Sequence, residues 1–437
     1  MNPDWKDKKV LVMGLGLHGG GAGTAEFLVK QGAKVTVTDL RSRQELAPSL
    51  RGLRRYKNIR YVLGRHRRED FHSADLIVKN PGVRRDAPLL REAARRRIPI
   101  ASDIGIFFQL CPARIIGVTG TRGKSTTTYL IWKFLKTKFR RAHYGGNIRR
   151  SVLTLVPRIR KSDLVVLELS SFQLADLARE KKSPHIAVIT NIFRDHLNWH
   201  RSMPEYIEAK SAIFRSQKKG DFLFINSRDR TLARLVRGAP ARARRAALPR
   251  QLEKIVDRNL GPHYRPVAAL AAAVARHFGV AAASIAETLK TFRGLEGRQQ
   301  EIAIIRGIHF INDTTATIPE AAVAAVRRFR EKAAKHRLFL ITGGSDKKLD
   351  FTRMAAAIRK YVDCVALLPG DASLKLAAAL ASIENAKSMG EAVRRTYRLA
   401  EKGDYIVLSP GAASFGLFLN EFDRGKQFAD EVRKLMR

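Results

Sequence analysis

The chain has 437 residues, 45% of them hydrophobic, so it is long enough for two or three folded domains and too apolar for global disorder. Its 82 Lys and Arg stand against 40 Asp and Glu, formally +42, which brings nucleic acid and anionic substrates among the partners to be weighed. Two distant cysteines, Cys111 and Cys364, exclude a disulfide framework and a cysteine metal cluster. With no secretory signal and no apolar run that spans a bilayer, a reducing cytoplasm and no membrane insertion are expected.

The first apolar run starts at Lys9 and meets Gly14-Leu15-Gly16-Leu17. A helix is expected through Gly23 to Lys30, strands over residues 34–39 and 76–78, and a loop at Lys79-Asn80-Pro81-Gly82-Val83. This is a βαβ pattern with polar loops at strand C-termini, as in doubly wound folds. Gly14-x-Gly16 is a weak signal alone, and Asp39 about one unit later strengthens a nucleotide-type reading. A Rossmann-like scaffold with turn glycines and an incidental acid fits the same residues.

The second block opens near residue 108. An apolar run over residues 115–119 enters Gly120-Thr121-Arg122-Gly123-Lys124-Ser125-Thr126. That order suits a phosphate cradle at a helix N-terminus, where backbone N–H groups hold oxyanions. Lys124 can reach the terminal phosphates of a nucleotide, and Ser125 can ligate its Mg²⁺. The strict motif has glycine where Val118 stands, so the fit is to a shorter form, Gly-x-x-Gly-Lys-Ser. Further on, a strand over residues 163–168 ends at Glu168, where a carboxylate can hold Mg²⁺ opposite the phosphates. Another over residues 186–190 leads to Asn191, Asp195 and His196. A helical stretch carries Lys210, residues 222–226 read as a strand, and an alanine-rich helix is expected from Ala268 to Phe278. His196 alone reads as a structural or surface histidine, and Lys210 alone as a solvated helix lysine. Beside a phosphate loop and a strand-end Glu, His196 gains a functional reading.

The third block opens around Arg298. Strand-like runs cover residues 308–313, 338–344, 362–368 and 405–408, with helix-sized connections between them, so a smaller α/β domain is expected. The basic residues are spread along the chain, with local groups at residues 65–68, 95–97, 149–150 and 237–250. No nucleic-acid module organises them and aromatic interleaving is weak, so a solvated basic surface is favoured over a dedicated nucleic-acid site.

The ordered motifs resemble the Mur ligase family, within it the members that add D-glutamate, over nearly the whole chain. The marks are residues 119–126, Glu168-Leu169-Ser170-Ser171-Phe172-Gln173, Asp195-His196, Asn312-Asp313, Gly343-Gly344-Ser345-Asp346-Lys347 and Ser409-Pro410-Gly411-Ala412-Ala413-Ser414-Phe415. The resemblance implies three α/β domains: a Rossmann-like one over residues 1–107 for the UDP-sugar, a P-loop ATPase-like one over 108–297, and a Rossmann-like one over 298–437 for the amino acid. It implies ATP-dependent addition of D-glutamate to UDP-N-acetylmuramoyl-L-alanine through an acyl phosphate, in a monomer.

By the same resemblance, Leu15, Gly16, Asp39, Arg41, Asn80 and Gly82 lie near the UDP end, and Asn147, Ser170 and Gln173 also meet that substrate. Residues 120–126 with Arg298 and Asp313 bind ATP. Thr317, Lys347, Ser414 and Phe422 form the D-glutamate pocket. Lys124, Glu168, His196 and Lys210 are the implied catalytic group, and Ser125, Glu168, His196 and an N-carboxylated Lys210 the implied Mg²⁺ ligands. The chain departs from the family pattern at Arg122, where Asn is common, and at Phe193-Arg194 before Asp195. Further departures are Gly297, Thr315, Gly416 and the absence of asparagines around residues 261–265. Another Mur ligase or a folylpolyglutamate synthase would share the ATP chemistry and differ in acceptor. No Asp-Asn-Pro-Arg motif of a diaminopimelate-adding ligase occurs.

Overall fold

The computed structural model describes residues 4–17, 19–147, 151–196, 199–346, 349–380, 384–414 and 416–436. Arg149, Arg150, Lys347 and Phe415 lie outside the described residues. Three twisted sheets alternate with helices, and the chain forms two compact units: residues 1–258 with 262–290, and residues 259–261 with 291–437.

The first unit holds two all-parallel sheets. One contains β1 (Lys9–Met13), β2 (Lys34–Asp39), β3 (Arg60–Leu63), β4 (Leu76–Lys79) and β5 (Ile100–Ser102), in the order β3-β2-β1-β4-β5. β1 stops at Met13 because Gly14 turns the chain at φ 93°. The following helix starts at Gly20, earlier than the sequence suggested, because Gly21 lets it pack on that turn. A Cβ on Gly21 would sit 2.4 Å from the Gly14 carbonyl oxygen.

The second sheet contains β6 (Arg114–Thr119), β7 (Ala142–Gly146), β8 (Leu164–Glu168), β9 (Ile186–Ile189), β10 (Phe222–Asn226) and β11 (Arg242–Ala246). Its order is β11-β10-β9-β6-β8-β7. β6, β8 and β9 are buried on both faces and read as continuous apolar runs, as parallel central strands do. β11 carries the sequence Arg-Ala-Arg-Arg-Ala at the sheet edge with Arg242, Arg244 and Arg245 exposed. Charge there opposes pairing with another chain, which gives part of the arginine run a structural purpose.

The two sheets share one apolar core, in which Val10, Val37 and Val78 of the first join Val165, Leu167 and Ile189 of the second. Through this seam runs a buried ion pair. Lys79 at the end of β4 donates to Asp176 at 2.7 Å, their side chains 1% and 3% exposed, and Arg85 donates to the other Asp176 oxygen at 2.9 Å. Asp103 lies close by, its carboxyl pushed up to about 6 by burial first and by Asp176.

The second unit has one sheet of β12 (Gln300–Ile305), β13 (Ile308–Asn312), β14 (Leu338–Gly343), β15 (Cys364–Leu368), β16 (Glu384–Asn385) and β17 (Tyr405–Leu408). The order is β12-β13-β17-β14-β15-β16, parallel except for the β12–β13 hairpin. Its two faces pack separate apolar clusters, one around Val326, Leu340 and Ile358 and one around Phe310, Ile341 and Phe428. The α/β class and the parallel sheets expected from the sequence are present. No described helix is long and apolar enough to cross a membrane.

Removing one partner of the seam pair strands a buried charge. Asp176→Asn is therefore expected to lower unfolding free energy by about 3–5 kcal/mol in chemical denaturation. A loss below about 1 kcal/mol would show that the seam does not depend on this pair.

Candidate active site

The candidate site is built on the C-terminal ends of β6, β8 and β9. Gly120 (φ 149°) and Gly123 (φ 79°) turn the chain from β6 into the helix Lys124–Lys136. A Cβ on Gly120 would lie 1.8 Å from Thr190 Oγ1, so the turn and its neighbour fit only without a side chain. The loop is held from β9. Thr121 N donates to Asn191 O at 2.9 Å and Arg122 N to Asn191 Oδ1 at 2.9 Å. Arg122 O accepts from Thr190 Oγ1 at 2.6 Å and Asn191 Nδ2 at 3.0 Å. The first N–H groups of the helix have no carbonyl one turn earlier, and at the positive end of the helix dipole they can receive an anion.

Two lysines converge on this loop. Lys124 Nζ donates to Gly120 O and Thr121 O, both at 3.0 Å, and Lys210 Nζ donates to Gly120 O at 2.7 Å. Lys210 lies on the helix Met203–Arg215, is 1% exposed, and holds its Nζ 4.6 Å from the Tyr206 ring centroid. Burial, and then Lys124, push the Lys210 amine down to about 6, against the pull of Asp195 and Glu168. Tyr206 is one helical turn earlier on the same face. Its hydroxyl pairs with Thr121 Oγ1 at 3.0 Å, and burial pushes the phenol up to about 12.

Glu168 ends β8 and is 3% exposed. Its Oε1 accepts from Asn147 Nδ2 at 3.1 Å, and its carbonyl accepts from Asn147 N at 2.9 Å. Its Oε2 is buried with no hydrogen-bond partner among the described residues, an arrangement that suits a cation. His196 is half exposed, in left-handed backbone at φ 54°, with its ring 3.6 Å from Asp195 Oδ2. The His196 ring lies 5.0 Å from Phe172 and 6.4 Å from Tyr206, so Tyr206 is common to the Lys210 and His196 limbs. Among the described residues no three His, Cys, Asp or Glu side chains gather as a metal cage. The expected donor set, Ser125, Glu168, His196 and Lys210, contains only two of those residue types.

Ser170 and Gln173 form a reciprocal capping box at the start of helix Ser171–Arg179. Ser170 Oγ accepts from Gln173 N at 3.2 Å, and Gln173 Oε1 accepts from Ser170 N at 3.1 Å. Their described contacts are thus structural. Next to them, His200 is buried, with Nε2 2.9 Å from Ser171 Oγ, and burial first pushes its imidazole down to about 4. Thr190, Asn191, Tyr206 and His200 are missing from the sequence-based site. The four-residue spacing of Tyr206 and Lys210 was the available signal for one of them.

Around the first sheet, Asp39 ends β2 and accepts from Gly16 N at 3.0 Å and Arg41 N at 2.9 Å. Asn80 Nδ2 reaches Gly14 O at 3.3 Å, and Asn80 Oδ1 accepts from Gly82 N at 3.1 Å. These residues are brought together. Leu15 is 0% exposed, so only its backbone can meet a ligand, whereas the Arg41 side chain is exposed.

The remaining expected residues belong to the second unit. Asp313 is buried, accepts from Ser409 Oγ at 2.7 Å and Gln299 N at 3.1 Å, and is pushed up to about 7 by burial against the pull of these donors and of Arg298. Thr317 N donates to Thr315 O at 2.9 Å, Ser414 is buried, and Phe422 sits in the first turn of helix Glu421–Lys434. The fully buried Arg424 ties that helix to Thr314 O at 2.8 Å and Ala412 O at 3.2 Å. It was invisible among so many basic residues.

Three family matches divide the chain in order: Mur ligase MurD-like, N-terminal domain, at residues 8–102; Mur ligase middle domain at 118–256; and Mur ligase, glutamate ligase domain, at 297–411. The chain belongs to the Mur ligase family. This Mur ligase is 40% identical to UDP-N-acetylmuramoylalanine–D-glutamate ligase of Roseiflexus sp. (strain RS-1), over 96% of this chain and 97% of that one. It is 34% identical to the enzyme of the same name from Borreliella burgdorferi, over 98% of each chain. The UDP-N-acetylmuramate-alanine ligase structure from Thermotoga maritima shares the fold, with TM-score 0.65 and 18% identity over 98% and 99% of the two chains. The ADP complex of the MurF ligase from the same organism does so at 0.57 and 15%, over 98% and 96%.

The buried Asp313 carboxyl has a pH signature. Its pKa is raised from 3.8 to about 7, so between those values the folded chain binds more protons than the unfolded one. Through this group, stability is present at low pH and declines as pH rises from about 4 to about 7. Asp313→Asn is expected to flatten that decline in denaturation curves. An unchanged pH slope would contradict it.

Proposed function

We propose that this Mur ligase joins D-glutamate to the L-alanine carboxyl of UDP-N-acetylmuramoyl-L-alanine, with ATP as the activating phosphoryl donor, in peptidoglycan precursor synthesis. The observation that carries the reading is the convergence of Lys124 and Lys210 on Gly120 O, with a buried Glu168 Oε2 that has no hydrogen-bond partner among the described residues. The choice of D-glutamate is supported by relatives of that name at 40% and 34% identity over nearly their full length.

The L-alanine carboxylate attacks the γ-phosphorus, giving an acyl phosphate and ADP. The amine of D-glutamate then attacks the acyl carbon and loses a proton, and the tetrahedral adduct expels phosphate to leave the amide. The loop N–H groups of residues 120–126 and the Lys124 ammonium orient the phosphates and offset their growing charge. Arg122 stands in this loop with its guanidinium 5.9 Å from the Phe193 ring centroid. We assign it to phosphate binding with its neighbours.

Ser125 and Glu168 would hold the Mg²⁺ of ATP, and Glu168, His196 and a carboxylated Lys210 a second one. The unpaired Glu168 oxygen fits that use. Bound Mg²⁺ supplies charge neutralisation on phosphate oxygens. Lys210 suits carboxylation because its depressed pKa leaves a nucleophilic neutral amine near pH 7. Addition of the neutral amine to CO₂ forms the N–C bond and releases a proton, turning the buried amine into an anionic oxygen donor.

We assign residues 1–107 to the UDP-sugar, with Gly16, Asp39, Arg41, Asn80, Gly82 and the Leu15 backbone nearest it, joined by Asn147, Ser170 and Gln173. Residues 108–297 bind ATP, with Arg298 and Asp313 contributing from the last block. Residues 298–437 bind D-glutamate through Thr317, Lys347, Ser414 and Phe422. The proposed working form is a cytoplasmic monomer.

The deciding assay supplies ATP, Mg²⁺ and UDP-N-acetylmuramoyl-L-alanine with D-glutamate, L-lysine or diaminopimelate in parallel. An amide product dependent on D-glutamate is expected, and none from folded protein would reject the substrate. For Lys210, ¹³C-bicarbonate is expected to give a carbamate carbon resonance at pH 8 that fades below about pH 6 and is absent from Lys210→Ala. Turnover in that variant should fall at least about 100-fold, and full turnover would reject the role.

A further inference from the structure

The loop after β4 and the segment carrying His196 are joined directly within the first unit. Asn80 binds the Gly14 carbonyl and the Gly82 N–H, and the Gly82 carbonyl accepts from Trp199 Nε1 at 3.2 Å. Trp199 N in turn donates to His196 O at 3.0 Å, and His200 N donates to the same carbonyl at 2.9 Å. A continuous line of hydrogen bonds thus runs from the glycine turn of the first sheet to the backbone of His196.

Arg84 reinforces the line from the same loop. Its Nη1 donates to Trp199 O, and its guanidinium lies 5.4 Å from the indole centroid. Asp86 orients it through two parallel bonds of 2.9 and 2.8 Å and also accepts from Arg201 at 2.8 Å. The Trp199 ring packs 4.7 Å from Phe172, which itself lies 5.0 Å from the His196 ring. Trp199 is therefore gripped through its ring, its N–H, its carbonyl and its indole nitrogen.

His196 needs such a grip. A non-glycine residue at φ 54° persists only where its surroundings hold it. Its own N–H is taken by Asp195 Oδ1 at 2.8 Å, and its carbonyl is taken by the turn that contains Trp199. A displacement of the Asn80–Gly82 loop has a short path to the left-handed backbone of His196.

We propose that Trp199 and Arg84 are positioning residues that couple occupancy of the nucleotide-sugar site on the first sheet to the placement of His196 at the ATP site. The proposal rests on the functional reading above and adds to it a binding synergy carried by Trp199 and Arg84, which link the Asn80–Gly82 loop to the backbone of His196. A staple that merely holds two sheets together would stabilise the fold without altering that synergy. Coupling is reciprocal, so each ligand must raise the affinity for the other by the same factor, commonly about 5–150-fold where sites communicate.

The test uses the full chain and two probes, UDP-N-acetylmuramoyl-L-alanine and the Mg²⁺ complex of a non-hydrolysable ATP analogue. The affinity for each is measured calorimetrically with and without the other. Trp199→Phe keeps an aromatic ring and removes the donor to Gly82, and Arg84→Gln removes the guanidinium grip. Both are expected to cut the coupling factor at least about threefold and to lower kcat, with each ligand's separate affinity within about twofold of wild type. Coupling equal to wild type in both variants, or absent in a wild type that forms product, would overturn the proposal. A folded wild type that forms no D-glutamate adduct would overturn the functional reading and the proposal with it.

Discussion

Two lysine side chains share one carbonyl oxygen, that of Gly120, and the rest of the centre is arranged around this crowding. The carbonyl is in place because Gly120 and Gly123 adopt backbone conformations that other residues avoid, and because Thr190 and Asn191 pin the loop from the next strand. Lys124 is there because it begins the helix that the loop opens. Lys210 is there because a separate helix, seated through Tyr206 against Thr121, turns its buried face toward the loop. Burial first, and then the neighbouring Lys124 charge, hold Lys210 far below an ordinary lysine. Chemistry that removes its charge, or an anion that meets both groups, relieves the conflict.

The parallel sheets set the geometry with little else. Glu168 and Thr190 end up beside the loop because β8 and β9 flank β6 in register and all three run the same way. Side chains just beyond their C-terminal ends must then meet in one crevice, as they do in open α/β sheets generally. The same rule collects Asp39, Gly16 and Asn80 at the end of the first sheet. The two crevices belong to one compact unit with a shared apolar core and the Lys79–Asp176 pair at its seam.

The phosphate loop was readable in sequence because its function is local: turn glycines, a lysine and a serine within a few residues carry the whole signal. The central strands were readable for a similar reason, since burial on both faces leaves uninterrupted apolar runs. β3 and β11 were missed because Arg60 and the arginines of β11 break that pattern at sheet edges. Lys210 could be placed only by resemblance, because burial arises from tertiary packing and a helix lysine looks alike in either setting. Ser170 and Gln173 show the converse: their side chains satisfy the backbone of a helix start. Leu15 points into the core, and Arg424 is a structural clamp hidden among 82 basic residues. Asp163, Asp176 and Asp404 each serve buried or partly buried partners, while arginines such as those of β11 remain on the surface.

The acyl-phosphate route is tested most directly by following oxygen. UDP-N-acetylmuramoyl-L-alanine labelled with ¹⁸O in both alanine carboxyl oxygens is incubated with ATP, Mg²⁺ and D-glutamate, and the released phosphate is analysed by mass. Attack of the carboxylate on the γ-phosphorus transfers one labelled oxygen to each phosphate as the amide forms. Phosphate carrying one ¹⁸O per amide made is the predicted result, and unlabelled phosphate alongside amide product would contradict it.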